Sequence, residues 1–136
     1  MKALFKFIFI AQLLVLSSLS IAQIPETKYS QSISYITGGV GEGETQAILA
    51  EAKHWSLLLE MSQIENGRGV WIFGAMINIL NDKNQMIFNA QADGPYMVVN
   101  LGPGSYSVRA SFNGVQQTRA VTITAGAPQK LSLFWK

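Results

Sequence analysis

Between Tyr106 and Phe112 apolar and polar positions alternate one for one; Asn113-Gly114 then breaks the run, and a second arm ends in Val121 and Ile123. Tyr106, Val108, Ala110 and Phe112 alternate with Ser107, Arg109 and Ser111, the period-two pattern of a strand with one buried face. Asn-Gly supplies the positive φ angles of a two-residue type I′ turn. The pattern therefore predicts a β-hairpin whose second arm carries Val121 and Ile123. Upstream, Leu57, Leu59 and Met61 alternate with Leu58, Glu60 and Ser62, which predicts a strand over 55–63. Further strands are predicted over 70–80, 86–92, 96–101 and 130–135. The turns between them read Asn66-Gly67-Arg68-Gly69, Asn81-Asp82-Lys83-Asn84, Asp93-Gly94-Pro95 and Ala125-Gly126-Ala127-Pro128. Gly74, alone inside an apolar run, marks a bulge or a bend.

One segment has helical spacing. From Glu42 to His54 an apolar stripe is formed by Ile48, Leu49, Ala52 and Trp55. Glu42 and Glu44 suit the positive end of that helix, Lys53 and His54 the negative end, and Thr45 or Gly43 can cap its start. Before it, residues 23–34 are polar and contain Pro25, and read as a flexible arm with an edge strand near 33–37. Such an arm can add to a neighbouring sheet, its own or another chain's. Gly38-Gly39-Val40-Gly41 is a hinge whose amides suit an anion, although a loop turning the chain into the helix is the plainer reading. Its spacing matches neither a P-loop nor a dinucleotide fingerprint.

About seven short strands at regular spacing predict a mainly β fold, a seven-stranded antiparallel β-sandwich with one N-terminal α-helix. Its two sheets would bury Tyr106/Val108/Phe112, Val121/Ile123, Leu131/Leu133 and Ile77/Ile79.

The first 22 residues change the reading of charge. Lys2 and Lys6 precede an apolar run from Phe7 to Leu16, and Ser20-Ile21-Ala22 places small residues at −3 and −1 of a cleavage before Gln23. This predicts a signal peptide over 1–22, a polar arm and Gly-rich loop over 23–41, and the helix with its β domain over 42–136. The leader carries two of the ten Lys and Arg and none of the eight acids. The remaining chain is formally neutral, and no basic patch for nucleic acid survives. There is no cysteine, so neither a disulfide framework nor a thiolate metal site exists. That composition predicts a bacterial periplasmic or secreted protein with no stable membrane span once the leader is removed.

Several of these segments resemble a known family. Gly74-Ala75-Met76-Ile77-Asn78-Ile79, Asp93-Gly94-Pro95-Tyr96, Leu101-Gly102-Pro103-Gly104-Ser105-Tyr106-Ser107-Val108, Asn113-Gly114 and Val121-Thr122-Ile123 resemble the carboxypeptidase regulatory-like domains. Those are similar to transthyretin-like (prealbumin-like) sandwiches. The resemblance covers about 70–135, and the run from Leu101 to Val108 is its most specific part. It implies a seven-stranded sandwich in which Tyr106 plugs one end of the core. The family has no shared active site to carry over. Hydrolytic transthyretin-like members use histidines, and this chain has one.

Candidate chemistry is sparse. His54 reads as a helix-end residue, and one histidine without cysteine leaves only carboxylates for zinc. Asp82 and Asp93 read as turn formers rather than calcium ligands. Glu60 and Glu65 are the only acids on or beside the early strands, and no G-x-S-x-G elbow occurs. No catalytic, cofactor-binding or metal residue is assigned, and a non-enzyme is expected. The candidate partner surface is Trp71, Tyr96, Arg109, Arg119 and Trp135, because aromatic faces stack on sugars or pack on proteins. Trp71 and Phe73 share one strand face opposite Ile72, and core is the plainer reading for Trp71. Arg109 and Arg119 are expected on outward faces on either side of the Asn-Gly turn. The expected function is a non-catalytic binding or structural module of the bacterial envelope, its partner an envelope protein or glycan. The alternative is a small-ligand carrier or hydrolase of transthyretin-like type.

Overall fold

A computed structural model of the protein describes residues 23–136. The predicted leader over 1–22 lies outside the described residues. The described chain is mainly β, in two sheets, with one helical segment. The first sheet contains β1 (Lys28–Ser30), β2 (Ile33–Gly38), β3 (Leu57–Glu65), β4 (Arg68–Trp71), β7 (Tyr96–Val99) and β10 (Gln129–Trp135). Its order is β1-β2-β7-β3-β10, with β4 pairing β3 beyond the end of β7. The second contains β5 (Met76–Leu80), β6 (Met86–Gln91), β8 (Gly104–Phe112) and β9 (Val115–Ile123), in the order β6-β5-β8-β9. Helix α1 (Glu42–Glu51) ends in a 3-10 turn, Ala52–His54.

Three expectations need correction. The described residues form ten strands rather than seven, because β1 and β2 join the first sheet and the apolar run over 70–80 divides. Gly74, with φ of 87°, lets the chain leave β4 in one sheet and enter β5 in the other. Pairing is not wholly antiparallel, since β10 runs parallel to β3 from Gln129↔Leu57 to Trp135↔Gln63. The turn after β9 carries the chain across to the first sheet, so β10 is not the second arm of a hairpin. The strand expected near 33–37 is present, but it is not at an edge and the residues before it are not a flexible arm. Lys28–Ser30 and Ile33–Gly38 are paired strands, and β2 lies in register with β7.

The β1–β2 turn shows a local conflict. Gln31 and Ser32 both have positive φ, 48° and 72°, the conformation a two-residue hairpin turn prefers to build from Asn-Gly. The double substitution Gln31→Asn, Ser32→Gly relieves two left-handed conformations and is expected to stabilise the domain by about 1 kcal/mol. Thermal melts of the two proteins measure the difference.

Both sheets feed one core. Leu57, Leu59, Met61, Met97, Val99 and Leu133 from the first meet Ile77, Ile79, Phe88, Val108, Ala110 and Ile123 from the second. Tyr35 and Phe88 meet across the sheets edge to face, with centroids 5.1 Å apart. Side chains also bridge the sheet margins. The Ser30 hydroxyl donates to the Asn89 carbonyl (3.1 Å) and accepts from the Asn89 N–H (3.0 Å), tying β1 to β6. At the opposite margin Trp135 Nε1 donates to the Val115 carbonyl (2.9 Å) and Gln117 Nε2 to the Phe134 carbonyl (2.8 Å), tying β9 to β10.

Helix α1 connects β2 to β3, which flank β7 in parallel. It packs Ile48, with Ala52 of the 3-10 turn, on Ile36, Tyr96 and Val98. The contact is narrower than the predicted stripe, and Leu49 stays exposed. The start of α1 is braced by its own side chains. Glu44 Oε1 accepts from the Gly39 N–H (2.8 Å) and the Val40 N–H (3.3 Å), and Thr45 Oγ1 donates to the Gly39 and Gly41 carbonyls. The glycine-loop amides thus already hold an anion, the Glu44 carboxylate.

Candidate functional site

Alternation along β3 divides the first sheet into two faces. Leu57, Leu59 and Met61 point into the shared core, so Leu58, Glu60 and Ser62 point outward. Helix α1 covers the β2–β7 half of that outer face. The half formed by β4, β3 and β10 carries no helix among the described residues.

Cross-strand register sets what this open half displays. Trp71 on β4, Ser62 on β3 and Phe134 on β10 lie in one row. Trp71 is 52% exposed and Phe134 48%, whereas Ser62 between them is buried at 7%. Trp71 and Phe134 therefore flank a small buried serine on this face. Their backbones are two strand spacings apart, roughly 9.5 Å. The neighbouring row is Tyr96, Glu60 and Ser132. There the Glu60 carboxylate pairs with Lys130 Nζ at 3.3 Å, placing a charged acceptor and donor beside the aromatic row. Ile64, Val70 and Phe73 are exposed nearby in sequence, on the same hairpin or just after it.

The five predicted surface residues do not converge. Trp71 is outward, correcting its core reading: Ile72 takes the inward face. Tyr96 is only 5% exposed, because α1 and Trp71 cover it, and the Trp71 ring stands edge-on to it with centroids 6.2 Å apart. Trp135 is also buried, at 3%, stacked edge-to-face on Phe112 at 5.8 Å with its indole N–H committed to Val115. Tyr96 and Trp135 thus support the surface from within. Arg109 pairs with Thr118 and Val108 with Arg119, so the two arginines occupy opposite faces of the hairpin. Arg119 shares the inward-facing row of Val108 yet is exposed, because β9 is an edge strand. Sequence reasoning does not single out Phe134, although the alternation of Leu131, Leu133 and Trp135 against Ser132 and Phe134 carries the signal.

The acids and His54 have other surroundings. Asp93 pairs with Lys28 at 2.9 Å, and Glu60 and Glu65 fall on opposite faces of β3 by alternation. The Ser56 hydroxyl donates to the Val99 carbonyl (3.0 Å) and accepts from the Leu101 N–H (2.6 Å), a structural use that occupies it. Among the described residues no three His, Cys, Asp or Glu side chains gather within reach of one metal ion, and no helix is long and apolar enough to cross a membrane.

Burial, and secondarily the Glu60 carboxylate, push the Tyr96 phenol above its ordinary value of 10.0. The folded state holds that proton more tightly than the unfolded state. The resulting stability is present below pH 10 and is lost as pH rises through the folded value. Tyr96→Phe is expected to flatten this alkaline loss, which melting temperatures taken from about pH 9 to about pH 11 would measure. Lys28, raised mainly by its hydrogen bond to Asp93, acts in the same direction and remains as the background in both proteins.

No protein-family model matches the chain, and a search of curated proteins finds no significant relative.

Proposed function

We propose that this protein is an exported, non-catalytic β-sandwich of the carboxypeptidase regulatory-like kind that binds an extended glycan of the bacterial envelope. The observation that carries the reading is the row Trp71–Ser62–Phe134 on the uncovered half of the first sheet. Exposed aromatic rings flanking a small buried serine suit the apolar faces of sugars. In an extended β-1,4-linked chain every second sugar presents the same face, so two rings on one sheet face engage sugars two apart. The two-strand separation of Trp71 and Phe134 is of that order. Glu60, Lys130 and Ser132 supply hydrogen-bonding groups alongside.

The fold resemblance is supported by the segment that suggested it. Tyr106 packs against the core, and its hydroxyl donates to the Gly102 carbonyl at 2.8 Å, a tyrosine-corner bond of the kind sandwich domains use. The non-catalytic reading rests on the separation of the acids and the structural use of the Ser56 hydroxyl.

Tryptophan fluorescence provides the test. Trp71 is the exposed tryptophan, so soluble β-1,4-linked oligosaccharides of four or more sugars are expected to shift its emission. A monosaccharide is expected to have little effect. An unchanged spectrum with every oligosaccharide would count against glycan binding.

A further inference from the structure

At the end of the molecule where β3, β8 and β10 begin, three connections meet around a cleft of about 260 Å³. Ser56 knits them together. Its hydroxyl bridges the Val99 carbonyl and the Leu101 N–H, and its carbonyl accepts from the Gln129 N–H at 2.9 Å. The cleft is therefore built into the fold rather than assembled by a ligand. Leu101 and Ile123, both buried, contribute to its lining, and Trp55 forms one wall. Lys53, His54, Asn100 and Thr124 supply polar groups.

The charge is one-sided. Lys53 lines the cleft beside the His54 imidazole, and no acid lines it among the described residues. Lys53 makes no ion pair among the described residues. The nearby Glu51 carboxylate accepts from Trp55 Nε1 at 3.1 Å. A second depression, of about 270 Å³, shares Lys53 and Pro128 with the first and is walled by Leu49, Ala52 and Leu58. Lys130 also borders it, with its charge engaged by Glu60. Lys53 thus stands at the junction of a polar cleft and an aliphatic groove.

We propose that this pair of depressions is a binding site for a small amphiphilic monoanion. Lys53 and His54 receive its anionic head, and Leu49, Ala52 and Leu58 receive an aliphatic tail. Convergent polar groups beside apolar walls are the usual make-up of a small-molecule site. Lys130 borders both this site and the proposed glycan surface, but the site does not depend on glycan binding.

Amide chemical shifts of the full protein, titrated with three probes, test it. Hexanoate carries head and tail, acetate the head alone, and hexan-1-ol the tail alone. Hexanoate is expected to shift the amides of Lys53–Ser56, Asn100–Leu101, Thr124–Ala127 and Gln129 and to bind about tenfold more tightly than either partial probe. Lys53→Gln is expected to weaken hexanoate binding about tenfold and leave hexan-1-ol unchanged. Lys53 is exposed, so this variant folds, and Trp71→Ala serves as a control that leaves hexanoate binding intact. Equal binding of hexanoate and hexan-1-ol would overturn the role of the Lys53 charge. Acetate binding as tightly as hexanoate would overturn that of the groove, and no shift at these amides would overturn the site itself.

Discussion

Val108→Asp is expected to leave the protein unfolded at room temperature. Val108 is fully buried, at the middle of β8, where both sheets contribute to one core. Its ladder partners are Ile79 on one side and Arg119 on the other. Arg119 sits at the solvent margin, so reaching a carboxylate at 108 would require it to fold inward over the hydrophobic row. An unpaired charge in that position costs more than about 4 kcal/mol, against a total stability on the order of 5–15 kcal/mol for a domain. Far-UV circular dichroism and a urea titration read the outcome. A cooperative transition at the wild-type midpoint would contradict the inward register of β8. Val108→Ala, which removes volume without charge, is expected to remain folded with a lower midpoint.

The second large effect is Gly94→Ala. Gly94 is not in a left-handed conformation, so its requirement is spatial. A Cβ there would overlap the carbonyl carbon and oxygen of Gly38 and approach the Gly38 Cα at 3.1 Å. What it meets is backbone, and that backbone has little freedom. Gly38 pairs with Tyr96 in the β2–β7 ladder. Thr37 Oγ1 donates to the Tyr96 carbonyl (3.0 Å) and accepts from the Asp93 N–H (2.9 Å). Moving β2 aside therefore breaks a buried hydrogen-bonded junction. A destabilisation of about 3 kcal/mol is expected, with a fall in Tm on the order of 10 °C. Gly102 provides the control, since it has neither a positive φ nor a neighbour within 4 Å of an added Cβ. Gly102→Ala is expected to melt close to the wild type, and equal effects at both positions would contradict the close approach of β2 to the Asp93–Tyr96 turn.

The residues explain which features are legible from sequence. The β8–β9 hairpin is readable because alternation, β-branched residues and Asn-Gly agree there, and its observed register runs from Gly104↔Ile123 to Phe112↔Val115. Gly74 is readable as a bend but not as a change of sheet, because the residues on both sides of it are apolar. β2 is foreshadowed by the edge strand expected near 33–37, whereas β1 is hidden by composition. Residues 28–34 are mostly polar, since β1 is an edge strand and its turn is Gln31-Ser32 rather than Asn-Gly. The parallel β3–β10 pair has no local signature, because pairing between strands far apart in sequence is decided by the shared core.

The candidate surface is half legible for a similar reason. Trp71 can be placed on a strand face, but the choice of face depends on Ile72 turning inward. Tyr96 reads as the first residue of a strand after Pro95 and as a surface aromatic, yet α1 lies over it. Trp135 ends the last predicted strand and the sequence does not choose between core and surface for it; its indole N–H closes the β9–β10 margin. Phe134 requires the register of β10 against β3 before it can be set beside Trp71.

The most direct test of the proposed function is sedimentation of the protein with insoluble β-1,4-linked envelope glycan, comparing wild type with the Trp71→Ala, Phe134→Ala double variant. Both side chains are half exposed, so the variant is expected to melt near the wild type. The glycan is expected to carry down the wild type and leave the variant in solution. Equal sedimentation of both proteins, or of neither, would contradict binding through the Trp71–Ser62–Phe134 row.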